Sequence, residues 1–157
     1  MKSHTEVTIG FAILLLVAGS GCSEAPSEAA ATASGRPKIV IKADSVGNYQ
    51  IGTSTLGDIL GEDTQEKRKQ FAARGLHFEF EIGNTLKGIT IDSDEYALEN
   101  GLSIGSSSSD VTSRLGEPRA SEIVLEPKGI ELDALVYEDF LFLLDASKEV
   151  AAIRIGI

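Results

Sequence analysis

The stretch that most constrains this chain is Gly101–Pro118, which combines a glycine-rich turn, the pattern of one short helix and a stop. Ser107 and Asp110 have the spacing of a capping box, in which a hydroxyl and a carboxylate bond the free amides at a helix start. Gly116 suits the left-handed conformation that ends many helices, and Pro118 prevents the helix from continuing. We therefore predict a short helix that begins near Ser107 and ends at Gly116.

This predicted helix has one apolar face. Val111 and Leu115 lie about one helical turn apart, so their side chains share that face. Gly105 precedes the helix and follows Ile104, an order typical of a strand that ends in a tight turn. We expect so short a helix to pack its apolar face on a sheet, because it cannot bury that face alone.

The same order of residues occurs earlier in the chain, between Tyr49 and Gly61. A glycine turn again precedes hydroxyl residues, a pair of leucines and a closing glycine. The matching residues are Gly52 for Gly105, Thr53 or Ser54 as the helix cap, Leu56 and Leu60 as the apolar pair, and Gly61 as the terminator. The recurrence predicts two tandem related repeats, over about 38–92 and about 101–157.

Alternation of apolar and polar residues predicts the strands. It is strict from Leu76 to Ile82, after which Gly83-Asn84 turns the chain into a partner strand over 86–91. The residues expected to face the core are Leu76, Phe78, Phe80 and Ile82, and those expected to face solvent are His77, Glu79 and Glu81. Further predictions are strands over 38–42, 122–125, 135–144 and 150–155, turns at 47–48, 127–129 and 145–148, and a polar helix over 62–75.

These elements predict an α+β fold for residues 38–157, with short helices packed on one face of an antiparallel sheet. Alternating strands need one covered face, and the short helices are the natural cover. The full length of 157 residues suits about one domain or two small repeats.

The N-terminal segment has the pattern of an export signal. Residues 7–19 form an apolar run that ends in small residues directly before Cys22, the one cysteine of the chain. The run is shorter than the roughly 20 residues that span a bilayer and fits the apolar core of a signal peptide. With Ser20 and Gly21 before the cysteine, the segment resembles a bacterial lipoprotein signal. The resemblance implies that residues 1–21 are removed and that Cys22 is lipidated.

Residues 22–37 follow as a linker rich in Ala, Ser, Glu and Pro. Such a composition cannot bury enough apolar surface to order itself, which predicts a flexible tether between lipid and folded body. The same resemblance implies a place in the cell envelope, facing the periplasm or exterior. Ser23 after the cysteine implies the outer membrane in bacteria with two membranes. An ordinary secretory signal followed by an unmodified cysteine is the alternative interpretation.

Charge and residue types narrow the function classes. The formal net charge is −10, and an acidic surface repels phosphate backbones, so nucleic-acid binding is not expected. His77 is expected on the outer face of a strand, and the serines at 106–109 are expected to cap a helix rather than act as nucleophiles. Asp92–Glu95 with Glu99 could offer oxygen ligands to calcium. The run lacks the central glycine of an EF-hand, so a solvated linker is preferred, and we expect no metal, no cofactor and no enzymatic activity.

The turn-helix motif and the later strands resemble a known group of envelope proteins. The matching residues are Gly105, Ser107, Asp110, Val111, Leu115, Gly116 and Pro118, with Tyr137, Phe140, Phe142, Val150 and Ile153 in the strands. The pattern is similar to the BamE (SmpA/OmlA) and β-lactamase-inhibitor-protein-like group, whose members are small envelope or secreted modules with helices on an antiparallel sheet. The resemblance implies a non-enzymatic, lipid-anchored envelope protein that presents a module to a protein partner. An inhibitor-like or ligand-binding periplasmic lipoprotein is the alternative.

Overall fold

The computed structural model describes residues 38–62, 64–125 and 130–156. Of the described residues, 43% lie in strands and 19% in helices. This confirms the predicted mixture of helices and strands, in which strands dominate. The predicted signal peptide (1–21), the tether (22–37) and the turn at 127–129 lie outside the described residues. No helix in the described ranges is long and apolar enough to span a membrane. The strands are β1 (Ile39–Ile41), β2 (Ser45–Val46), β3 (Tyr49–Gln50), β4 (Leu76–Phe80), β5 (Leu86–Ile91), β6 (Tyr96–Leu98), β7 (Ala120–Leu125), β8 (Glu131–Val136), β9 (Phe140–Leu144) and β10 (Val150–Ile155). The helices are α1 (Leu56–Leu60), α2 (Thr64–Ala72) and α3 (Ser108–Leu115).

The larger sheet has six antiparallel strands in the order β4-β5-β10-β9-β8-β7. The hairpins β4–β5 and β9–β10 meet where β5 pairs with β10, with Thr90 of β5 opposite Arg154 of β10. The hairpin predicted from alternation is confirmed, with Leu76 opposite Ile91. The edges of this sheet are β4 and β7.

A smaller sheet of four short strands has the order β3-β2-β1-β6. The strand predicted over 38–42 is confirmed as β1, and the turn at 47–48 joins β2 to β3. β1 and β6 run parallel, with Val40 opposite Ala97. This parallel pair was not predicted, because β6 follows the acidic run at 92–95 and has no alternation of its own.

Both sheets and the helices contribute to one cluster of buried residues. Its fully buried members include Ile41 and Tyr96 from the smaller sheet, Ile89, Phe142 and Ile153 from the larger sheet, and Leu60 and Val111 from the helices. A second, smaller cluster consists of Ala134, Leu143 and Ala152. Neighbouring residues of a strand point to opposite faces, so this second cluster lies on the other face of the larger sheet.

The polar helix predicted over 62–75 is present as α2, over Thr64–Ala72, and none of its residues is fully buried. Phe71 attaches it to the core through edge-to-face contacts, with ring centroids 5.6 Å from Tyr49 and 5.0 Å from Phe78. Ala72 and Ala73, the small apolar residues that follow Phe71, are exposed and do not attach the helix.

Two strand predictions were wrong. The strand starting at Leu76 ends at Phe80, and Ile82 is fully exposed because the chain turns there, with the Glu81 N–H donating to the Thr85 carbonyl. The strand predicted over 135–144 is broken into β8 and β9 by a turn at Glu138-Asp139. Both acidic residues are exposed, and Asp and Glu are poor strand formers, so the pair turns outward instead of continuing the sheet.

Candidate functional site

The α3 turn-helix motif is built as its sequence predicts. The Ser107 hydroxyl oxygen accepts from the Asp110 N–H at 3.1 Å, and an Asp110 carboxylate oxygen accepts from the Ser107 N–H at 3.3 Å. These bonds stabilise the charged carboxylate, so the pKa of Asp110 is lowered, first by the Ser107 hydroxyl and then by its backbone amide. The capping box therefore satisfies two free backbone amides at the start of α3.

α1 carries the same capping box, but at a residue that was not predicted. Thr55 caps the helix, with its hydroxyl oxygen 3.2 Å from the Asp58 N–H and an Asp58 oxygen 3.0 Å from the Thr55 N–H. The cap predicted at Thr53 or Ser54 is wrong, because the side chain and the carbonyl of Ser54 accept hydrogen bonds from residues outside α1. The Ser54 side chain accepts from the Gln50 N–H, and its carbonyl accepts from the Leu86 N–H.

The remaining motif residues shape the ends of α3 and its apolar side. Gly116 has φ 81°, as expected for a residue that must reverse the chain. The Tyr137 hydroxyl donates to the Gly116 carbonyl oxygen at 2.9 Å. Val111 is fully buried, whereas Leu115 and Pro118 are half-buried. The main anchor of this helix is therefore Val111 and not Leu115.

Both motifs are attached to hairpins by the same hydrogen bonds. The N–H groups of Gly52 and Gly105 donate to the carbonyls of Leu86 and Val150, both at 2.8 Å. The first helical amide of α1 donates to Asn84 and that of α3 donates to Lys148. Asn84 and Lys148 are the non-glycine residues of the described chain with positive φ, at 66° and 63°. Each short helix therefore starts on the turn of a hairpin.

The structure brings His77 next to Asp92, with Nε2 3.0 Å from a carboxylate oxygen. Both side chains are about half exposed. The pair was not predicted, because its members come from β4 and from the segment after β5. Among the described residues, no three His, Cys, Asp or Glu side chains converge as metal ligands would, and Asp92 of the acidic run points to His77.

An open cleft of about 360 Å³ lies beside the smaller sheet. It is lined by Ile39, Val46, Tyr49, Arg74, Leu76 and Tyr96, with Gly47 and Asn48. The Tyr96 hydroxyl is buried without a hydrogen-bond partner, and burial raises its pKa. The positive charge of the Arg74 guanidinium opposes that rise in pKa. A second cleft, of about 240 Å³, lies between α2 and β4 beside His77.

The β7 edge of the larger sheet exposes apolar side chains. Ile123 and Leu125 are 69% and 67% exposed, and Ile130, just before β8, is 53% exposed. Glu122 directly precedes Ile123 in the strand and therefore points to the other face. We call β7 with Ile130 the β7 edge. No sequence pattern distinguished these residues from a buried strand, because their exposure depends on how far the core extends.

Comparison of the chain with protein-family models, with curated proteins and with solved structures found no match.

Proposed function

We propose that this chain is a non-enzymatic, lipid-anchored protein of the cell envelope that presents its folded body to a protein partner. The position of Cys22 carries the proposal. It follows an apolar run that is too short to span a bilayer, and it precedes a polar linker and then β1. A lone cysteine in an exported chain cannot form an internal disulfide, and lipidation gives it a use.

The roles of the polar side chains support a binding function over a catalytic one. Ser107 and Asp110, which stand where a nucleophile and an acid could be sought, are held by each other at the start of α3. Apolar residues exposed at the β7 edge support an interaction with another protein. The proposed partner is a protein and not a nucleic acid, because the acidic surface would repel phosphate groups.

We further propose that the two halves of the body are related copies, each with its short helices on the same face of the larger sheet. The shared hydrogen bonds of Gly52 and Gly105 support the relation. The same offset in residue number relates Leu86 to Val150 and Thr90 to Arg154. Thr90 and Arg154 also lie opposite one another in the sheet. This is the pattern of two copies related by a two-fold axis. Leu60 of α1 and Val111 of α3 lie in the same core cluster, which supports a common face.

A ligand-binding lipoprotein is the second candidate function, favoured by the cleft beside Tyr96. Tyr96 lines this cleft, and its hydroxyl is buried without a hydrogen-bond partner, which is costly. Arg74 at the same cleft would attract a negatively charged group. Native mass spectrometry of the purified protein tests this candidate, which requires a bound small molecule that is lost with Arg74→Ala.

Membrane fractionation with mass analysis tests the leading proposal. The wild-type chain should sediment with membranes and carry diacylglycerol and acyl mass on Cys22, and Cys22→Ser should be released into the soluble fraction. Crosslinking in intact cells should then join the wild-type protein to a second protein. A soluble wild-type chain without acyl mass would refute the anchor, and a chain that crosslinks to nothing would refute the partner.

A further inference from the structure

The β7 edge has the features of a strand-docking site. In an antiparallel ladder, alternate residues of an edge strand point their N–H and C=O groups away from the sheet. β7 is six residues long, is paired with β8 along one side, and contains neither proline nor lysine within the strand. Native edge strands usually contain proline or lysine, or are very short, which prevents pairing with another strand.

The opposite edge of the same sheet is guarded. α2 packs beside β4 through Phe71 on Phe78, and the Arg68 guanidinium lies 5.6 Å from the centre of the Phe80 ring. No helix of the described residues packs in this way on β7, since the core cluster takes no member from that strand. The two edges differ in protection, and β7 is the open one.

The charges around β7 determine what kind of strand it would accept. The nearby cations of the described chain are already paired, Arg119 with Glu138 and Lys148 with Asp133. Glu122 on β7 and Glu131 on β8 form no ion pair with described residues. A second copy of this chain would bring the same acidic groups against them, which opposes self-pairing. A basic strand would complement them.

We propose that the β7 edge binds an extended segment of a partner protein in which apolar and basic residues alternate. On one face of the extended sheet, apolar side chains of that segment would pack on Ile123 and Leu125. On the other face, a lysine or arginine would lie opposite or diagonal to Glu122. This inference rests on the proposed function, because it names the surface through which the body would meet its partner.

A synthetic peptide of alternating valine and lysine, blocked at both ends, is the probe. It is titrated into the full lipidated chain in uncharged detergent, with empty micelles as the blank, and hydrogen exchange of the protein is followed. We expect saturable binding and slower exchange of amides in β7. A peptide of alternating valine and glutamate should bind at least about fivefold more weakly, because the cross-strand pair with Glu122 becomes repulsive.

Matched variants locate the site. Glu122→Lys should weaken binding of the valine–lysine peptide about two- to fivefold, and Ile123→Lys about tenfold, because it removes an apolar contact and adds a like charge. Ile82→Lys is the control, since Ile82 is also an exposed isoleucine but lies in the β4–β5 turn. It should leave binding unchanged.

Several outcomes would overturn the inference. They are equal binding of both peptides, exchange protection away from β7, equal loss with Ile82→Lys, or a dimer of the wild type that Ile123→Lys dissolves. The proposed function is judged separately, by fractionation of Cys22→Ser and by crosslinking. A partner crosslinked only through another surface would refute the β7 edge and leave the proposed function standing.

Discussion

Replacing Gly75 by alanine is a severe test of how the β4–β5 hairpin joins the segment that follows it. Gly75 has φ 71° and is buried, and its carbonyl accepts from the Asp92 N–H at 3.1 Å. A Cβ atom there would lie 2.4 Å from the Ser93 Cβ and 2.8 Å from the Ser93 backbone nitrogen. Both distances are far inside van der Waals contact, so the backbone at Ser93 must move.

The magnitude follows from comparison with Gly116. That residue also has positive φ, at 81°, but a Cβ there meets nothing within 4 Å. Gly116→Ala should therefore cost only the conformational strain, about 1 kcal/mol. Gly75→Ala adds a steric clash of about 1–3 kcal/mol and should cost about 2–4 kcal/mol in total.

Urea unfolding of the two variants and the wild type measures both costs, as shifts of the midpoint at a constant slope. The difference between the variants isolates the clash, because the strain is common to both. Gly75→Ala should also separate His77 from Asp92, because Asp92 directly precedes Ser93 and belongs to the displaced segment. If the two variants unfold at the same urea concentration, the close approach of Gly75 to Ser93 is not present in solution and the reasoning fails.

Four further predictions concern the helix, the cap, the cleft and the tether. Leu115→Ala should cost about 2 kcal/mol, at the low end for leucine because the side chain is half-buried, whereas Ser108→Ala should be nearly neutral; equal urea midpoints would refute packing of α3 on the sheet. Asp110→Asn should be less stable than wild type at neutral pH, and the difference should shrink as pH falls below about 4, because a carboxylate whose folded pKa is lowered stabilises the fold only while ionised; a gap that persists at pH 2 would contradict this. Tyr96→Phe should leave the melting temperature unchanged or raise it, because it removes a buried hydroxyl that has no partner, and a clear drop would reveal a hydrogen bond. Deletion of residues 23–36 should leave the thermal midpoint nearly unchanged, and a drop of many degrees would mean that this segment packs on the body.

Helix ends and tight turns could be predicted from the sequence where they depend only on residues close by in the chain. The cap at Ser107, the terminator at Gly116 and the turn at Gly83-Asn84 depend on residues within a few positions. The cap of α1, predicted at Thr53 or Ser54, lies at Thr55, because the carbonyl of Ser54 bonds a strand more than thirty positions away in the chain. Sequence patterns carry little information on such a contact.

Contacts between distant segments, and the exposure of apolar side chains, could not be predicted from the sequence for the same physical reason. The parallel pair β1–β6 and the contact between His77 and Asp92 join segments whose own patterns do not indicate each other. Ile82 and Ile123 have the residue type of core positions, yet both are exposed because the sheet turns or extends beyond its cover there. The alternation of a strand states which residues share a face and not whether that face is covered.

The central place of β10 in the larger sheet has a consequence for the order of folding. β5 pairs with β10, the last strand of the described chain, and about sixty residues separate them, so a large loop must close before the sheet is continuous. While the chain is being synthesised, the β4–β5 hairpin has to wait with one side unpaired until β10 arrives. Folding of this body should thus be slow, as high contact order implies. A body whose larger sheet stays open until β10 is made also remains unfolded for longer, which suits transport by machinery that moves unfolded polypeptide.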